Sequence, residues 1–136
     1  MKTHPVRIPG FRTPKYRATR TVYNGIGYAS KAEAARAGFL DTARKLGLIR
    51  WWIGQPVFRL GCPENVYRPD FLVVGNNDAN GKQEGYKGIH AEDVKGHATA
   101  KFAHDVKLWK AYGPCPLWII RGNGKTIEII NPEPSS

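Results

Sequence analysis

The chain has 136 residues, with 41% hydrophobic and 11% aromatic residues and a net charge of +10, which suits one folded domain and excludes a disordered chain. No apolar run approaches the roughly 18 residues of a membrane-spanning helix, and the basic N-terminus lacks the apolar stretch of a signal peptide, so we expect a cytosolic protein. Two cysteines, Cys62 and Cys115, are too few for a disulfide framework and lack zinc-ligand spacing, so we expect reduced, buried thiols.

The positive charge is concentrated at the N-terminus. Of the 21 basic residues, seven precede Glu33 with no acid among them, and the other 14 face all 11 acids. We therefore divide the chain into a basic arm (1–27), a nearly balanced domain (28–131) and a polar tail (132–136). Basic arms usually bind phosphate backbones, although a solvated tail that only aids solubility is the alternative. The candidate DNA contacts in or near this arm are Arg12, Lys15, Arg17, Arg20 and Lys31.

The first predicted element is a helix from about Ser30 to Leu46. Ser30 is a natural N-cap with Glu33 three residues later, and Gly47 ends the pattern. An apolar stripe at helical spacing is expected to face the core; it consists of Ala32, Ala35, Phe39, Ala43 and Leu46.

The remaining pattern predicts five strands and a second helix. Strands are expected at 51–60, 65–74, 86–95, 116–121 and 125–130, a loop at 75–85, and a helix from Thr99 to Tyr112. The order α-β-β-β-α-β-β predicts an α/β domain with a mixed sheet flanked by helices. The strands on either side of the second helix are expected to be parallel, and the earlier strands antiparallel.

An acid-x-lysine pattern occurs twice as the same tripeptide, Asp-Val-Lys. Asp105 and Lys107 fall inside the second helix, where residues two apart point roughly 200° apart. Asp93 and Lys95 end a strand, where residues two apart share one face. Only the strand copy therefore aims both charged groups at one place.

Asp70 is predicted to join that pair. If the hairpin loop centres near residue 81 or 82, Asp70 lies opposite Asp93, with Cβ atoms roughly 5 Å apart. Two facing carboxylates repel by about 4 kcal/mol at ~4 Å and an effective dielectric of 20. A divalent metal relieves this repulsion, and Mg²⁺ typically takes one or two carboxylates plus substrate phosphate.

These motifs also resemble a known family. The stretch "RPDFLVV" followed by "EDVKG" is similar to the pattern of PD-(D/E)xK nucleases. More closely, "GYASKAEA", "QPVFRL", "YRPDFLVV" and "EDVKGHATAKFAHDVKLW" resemble small phage-encoded nucleases, with further similarity to Holliday-junction-resolving phage endonucleases. The resemblance covers about residues 27 to 121.

The resemblance implies a restriction-endonuclease-like fold and a Mg²⁺-dependent cut in DNA that leaves 5′-phosphate ends, with Mn²⁺ as a substitute. It makes Asp70 and Asp93 metal ligands assisted by the Val94 carbonyl, while Lys95 orients or activates the attacking water. Glu33 would match the family's helical glutamate. If the chain is phage-encoded, its place would be the host cytoplasm.

Several of these residues have a simpler explanation. Glu33 fits a capping box as well as a metal site, and both alternatives stay open. Gln55 is either an accessory residue near the site or a plain strand-edge glutamine. Lys101 and Lys107 either contact DNA phosphates or belong to a solvated helix face.

The sequence thus predicts a metal-dependent DNA endonuclease, selective for branched or junction structures. A chain of this size offers one active site, so cutting two strands would need a homodimer. The alternatives are a non-catalytic nucleic-acid-binding module, which also explains the charge, and a nuclease directed at RNA.

Overall fold

A computed structural model describes residues 21–76, 86–96, 99–122 and 124–134. It contains two helices and nine strands within these ranges, in the order β1 (Thr21–Tyr23), β2 (Ile26–Tyr28), α1 (Lys31–Lys45), β3 (Ile49–Gly54), β4 (Phe58–Arg59), β5 (Val66–Tyr67), β6 (Phe71–Gly75), β7 (Ile89–Val94), α2 (Ala100–Tyr112), β8 (Leu117–Arg121) and β9 (Thr126–Ile130). Neither helix in these ranges has the length and apolar character needed to cross a membrane.

Five strands form one mixed sheet in the order β3-β6-β7-β8-β9. The pair β7 and β8, which flanks α2, is parallel, and the other three pairs are antiparallel. These directions and the α/β class agree with the sequence prediction. The two strands predicted at 51–60 and 65–74 are each divided, because β4 and β5 leave the main sheet and pair with each other.

The two helices pack on opposite faces of this sheet, each over its own core cluster. The α1 side is built mainly from Ala37, Leu40, Ile49, Phe71 and Val73. The α2 side is built mainly from Leu60, Tyr67, Phe102, Trp109, Leu117 and Ile119. Because side chains alternate along a strand, each sheet position belongs to one of these two sides.

Helix α1 begins where the sequence predicts, since the Ser30 side chain accepts a hydrogen bond from the Glu33 backbone N–H at 3.2 Å. The predicted apolar stripe is wrong apart from Ala43. The buried face contains Ala34, Arg36, Ala37, Leu40 and Ala43. Phe39 and Leu46 are exposed. Alanines occur on both sides of this helix, so their spacing does not identify the buried face. The buried face also contains Arg36, a charged residue that sequence patterns assign to the exposed side.

A short hairpin precedes α1 inside the segment predicted as the basic arm. Strands β1 and β2 pair antiparallel through a two-residue turn at Asn24 and Gly25. Both residues have positive φ, 51° and 77°, as the commonest tight hairpin turn requires. The hairpin contacts α1. Residues 1–20 of the predicted arm lie outside the described residues, as does most of the loop predicted at 75–85.

The cysteines are both free, as predicted. The prediction that both are buried is wrong for Cys62, which is exposed, while Cys115 is half-buried. Cys62 lies in the turn between β4 and β5.

Candidate active site

Asp70 lies immediately before β6, where three backbone segments meet. Its side-chain Oδ2 accepts a hydrogen bond from the Val94 backbone N–H at 2.7 Å. Its backbone carbonyl accepts one from the Gln55 N–H at 2.8 Å. Asp70 is therefore fixed to the end of β7 by its side chain and to the end of β3 by its backbone.

The register of β6 and β7 brings Asp70 to Asp93. Phe71 pairs with Glu92, and each further pair follows in the same register. One step outward along this ladder, residue 70 comes opposite residue 93, which is the register predicted from the hairpin. Asp93 lies on the α2 face of the sheet, as does Ala91, which belongs to the core cluster under α2.

Asp93 is buried and held by two neighbours. The Tyr67 hydroxyl donates a short hydrogen bond to Asp93 Oδ2. Lys95 Nζ lies 3.5 Å from the other carboxylate oxygen, Oδ1. Burial, followed by the charge of Asp93, raises the pKa of Tyr67 far above its ordinary value, so the phenol keeps its proton as a donor.

Lys95 connects this carboxylate to α2. Its ammonium lies 4.8 Å from the centre of the Phe102 ring, within range of a cation–π interaction. Its side chain is 30% exposed, so one side of the ammonium faces solvent. A half-exposed cation beside a buried carboxylate can meet an incoming anion.

The pKa values of Asp70 and Glu33 are both raised in this site. Burial first, then the charges of Asp93 and Glu33, raise the pKa of Asp70 to about 10, against a smaller lowering by the Val94 N–H. Burial likewise raises the pKa of Glu33, although its hydrogen bond with Asp70 opposes this. Without a cation, Asp70 therefore keeps its proton at neutral pH.

Glu33 belongs to this group and also to the helix cap. Its N–H is bonded to Ser30, and its Oε2 accepts a hydrogen bond from the Ala29 N–H at 3.3 Å. The carboxyl therefore bonds back to the residue before the N-cap and lies close enough to Asp70 for each group to shift the pKa of the other. The two explanations left open by the sequence are compatible, because one carboxyl has two oxygens.

A divalent cation fits part of this arrangement. Within the described ranges no group of three or more His, Cys, Asp or Glu side chains is placed as a ready metal cage. Mg²⁺ does not need such a cage, since it commonly binds one or two carboxylates and fills its other positions with water and phosphate. Asp70 and Asp93 could supply that pair, and the electrostatic conflict between them is what a cation would relieve.

Glu92 points to the opposite, α1 face and has a different task. Arg36 donates two hydrogen bonds to its carboxylate, at 2.7 and 2.8 Å, and His90 Nε2 lies 2.7 Å away. Burial by itself raises the pKa of Glu92, but the bonds to Arg36 and His90 lower it overall. The His90 ring also stacks on Trp118 at 3.8 Å. This buried network fixes α1, which carries Glu33, against β7, which carries Asp93.

Gln55 lies beside the site through its backbone. It has a positive φ of 52°, which is uncommon for a residue with a side chain and concentrates at functional sites. Its N–H bonds to Asp70, while its side chain is exposed. Its contact with the acids is therefore a main-chain contact.

The predicted DNA-binding lysines fall in different places. Lys31, Lys101 and Lys107 are all exposed. Lys101 lies 3.8 Å from Asp105 in an ion pair and lines a cavity beside Lys95, whereas Lys107 is not among the residues that line it. Arg12, Lys15, Arg17 and Arg20 lie outside the described residues.

Sequence reasoning missed Tyr67, Arg36 and Asp105. Tyr67 precedes Asp70 by three residues, and nothing in that spacing indicates that its hydroxyl reaches Asp93. Arg36 lies in a helix, where charged residues are nearly always exposed. Asp105 and Lys107 do diverge as predicted, but Asp105 is buried and faces the same side of the sheet as Asp93.

Comparisons of the chain with protein-family models, with curated proteins and with solved structures found no match.

Proposed function

We propose that this protein is a Mg²⁺-dependent DNA endonuclease with a restriction-endonuclease-like fold, and that it acts on branched or junction DNA. The observation that carries the proposal is the convergence of Asp70, Asp93 and Lys95 at one end of two paired strands. A buried carboxylate, Asp93, with an ammonium 3.5 Å away and the half-buried carboxylate of Asp70 opposite it is a costly arrangement for stability alone, and phosphodiester hydrolysis gives it a use.

The proposed reaction is hydrolysis of a phosphodiester bond. Water oxygen bonds to phosphorus, the bond from phosphorus to the 3′ oxygen breaks, and that oxygen takes a proton, which leaves a 5′-phosphate. A bound divalent cation supplies charge stabilisation of the phosphate and a more acidic water. Asp70 and Asp93 would hold the cation, with the Val94 carbonyl and Glu33 as further ligands.

The chain's own residues then have separate tasks. The Val94 N–H and the Tyr67 hydroxyl fix the carboxylates of Asp70 and Asp93, so the site is organised before substrate arrives. Lys95 faces the phosphate, where its ammonium orients the attacking water and offsets developing negative charge. Mn²⁺ should replace Mg²⁺, because the ligands are oxygens.

The second candidate is a non-catalytic nucleic-acid-binding module. One observation favours it, namely that no three-ligand metal cage is present among the residues described. This module would use the same basic surface but would have no need for acids that repel phosphate.

A cleavage assay separates the two. The full chain is incubated with duplex, single-stranded, flap and four-way-junction DNA, and with a matched RNA strand, in Mg²⁺, Mn²⁺ or EDTA. We expect metal-dependent cutting of DNA, highest on the junction, and loss of cutting in Asp93→Asn. If the folded wild-type chain binds these substrates but cuts none in either metal, the binding module is the better account. Cutting of the RNA alone would move the substrate class to RNA.

A further inference from the structure

A cavity of about 500 Å³ opens directly beside the acid pair. It is formed where β5 and the end of β7 meet the first turns of α2. Its lining includes the charged side chains of Arg68, Lys95, Lys101 and Asp105 and the hydroxyl of Thr99, beside Tyr67. The volume lies within the range of ordinary ligand sites, roughly 300 to 1,000 Å³.

The lining carries three cations against one acid. Arg68 is exposed, and no ion pair of its side chain is found within the described residues. Lys101 is 81% exposed and is held 3.8 Å from the carboxylate of Asp105, which is itself buried. This ion pair places the Lys101 ammonium at the edge of the cavity, although an exposed pair of this kind contributes little energy.

Thr99 adds a hydroxyl donor to the same wall. Its Oγ1 accepts a hydrogen bond from the Phe102 N–H at 3.1 Å as the cap of α2. Since a hydroxyl accepts and donates at once, its proton remains available to an oxygen in the cavity. The two aromatic rings in the lining, those of Tyr67 and Phe102, are only 4% and 7% exposed, so base stacking has no platform here.

We propose that this cavity binds the phosphate next to the scissile one on the same nucleic-acid strand, through Arg68, Thr99 and Lys101. Lys95 belongs both to the cavity and to the acid pair, so a strand that presents one phosphate to Lys95 brings its neighbour into the cavity. Cations and a hydroxyl without a stacking surface suit backbone oxygens, which position a strand without sequence preference. The inference rests on the proposed function, since it uses the acid pair to define the scissile phosphate.

The test is DNA binding by single variants of the full chain, with folding checked by circular dichroism. The probe is a fluorescein-labelled junction DNA, measured by anisotropy in EDTA over a series of salt concentrations. Arg68→Gln and Lys101→Gln should each weaken binding by roughly three- to tenfold and reduce the slope of log affinity against log salt by about 1. The matched control is Arg50→Gln, because Arg50 is exposed and lies at the opposite end of the sheet, next to the pair formed by Ile49 and Gly75.

The outcomes separate this site from the nuclease proposal. If Arg68→Gln and Lys101→Gln bind as the wild type does, or if Arg50→Gln weakens binding equally, the cavity assignment is overturned whether or not the chain cuts DNA. If both cavity variants lose affinity while the wild type cuts nothing, the phosphate site stands and the nuclease proposal fails. Inorganic phosphate is added as a competitor. If it displaces the DNA at concentrations below about 1 mM, the cavity is a site for small anions, and the assignment to a strand is overturned.

Discussion

The backbone N–H of Val94 donates a hydrogen bond to Oδ2 of Asp70 across 2.7 Å. This bond joins the last residue of β7 to the residue just before β6, at the point where the strand ladder itself ends. It fixes one carboxylate against the strand that carries the other, so the spacing of the acid pair is set by sheet register and not by flexible loops.

Metal-free stability should fall with rising pH because of Asp70. Burial, then the charges of Asp93 and Glu33, raise its pKa from the ordinary 3.8 to about 10 in the folded chain. The folded state therefore holds this proton more tightly than the unfolded state, and each step upward in pH between these values favours unfolding. Asp70→Asn removes the group and keeps an acceptor for the Val94 N–H.

The measurement is urea denaturation of both proteins in EDTA. The free energy of unfolding of the wild type minus that of Asp70→Asn should decline from about pH 5 to about pH 9. A difference in unfolding free energy that is constant or rises over that pH interval would show that folding does not raise the pKa of Asp70.

Glu33 can be tested apart from the helix cap. Glu33→Gln keeps an oxygen for the Ala29 N–H, so stability should change by less than about 1 kcal/mol, while cleavage should fall roughly 10- to 100-fold. Ser30→Ala is the control, because it removes the cap bond to the Glu33 N–H and should cost about 1 kcal/mol of stability with cleavage retained. Full cleavage activity of Glu33→Gln would show that Glu33 serves only as a helix-capping residue.

Much of this site was predictable from the sequence, because strand periodicity and hairpin register are local rules. They placed Asp93 and Lys95 on one face and Asp70 across from Asp93. The division of the long strands at Gln55 and Arg68 was missed, although Pro56 and Pro69, which follow these residues, are a signal against continuous strands. The buried Arg36–Glu92 pair could not be predicted, because each charge is tolerated inside only with its partner present.

The buried ion pair of Arg36 and Glu92 should make a large contribution to the free energy of unfolding. Glu92→Gln leaves the Arg36 guanidinium, which is 7% exposed, without a charged partner and should cost about 3–5 kcal/mol. The double variant Arg36→Met with Glu92→Met should recover part of that loss, since neither charge of the pair remains, while the buried His90 loses its bond to Glu92. Urea denaturation measures both, and a Glu92→Gln variant within about 1 kcal/mol of the wild type would contradict the importance of this pair.

Lys95 should matter for chemistry more than for folding. Lys95→Met keeps the side-chain length and its packing on Phe102 but removes the charge, so cleavage should drop by about 100-fold or more. Lys45→Met, at the far end of α1, is the control and should cut at the wild-type rate. Equal rates for all three proteins on junction DNA would exclude Lys95 from the reaction.

Titration calorimetry with Mn²⁺ shows whether Asp70 and Asp93 together hold a divalent cation. We expect one binding site in the wild type, the loss of that site in Asp70→Asn, and its retention in Asp41→Asn, whose carboxylate bonds to Tyr23 and Trp52. Absence of Mn²⁺ binding by the folded wild-type chain, or equal binding by Asp70→Asn, would contradict the proposal that this acid pair holds a cation.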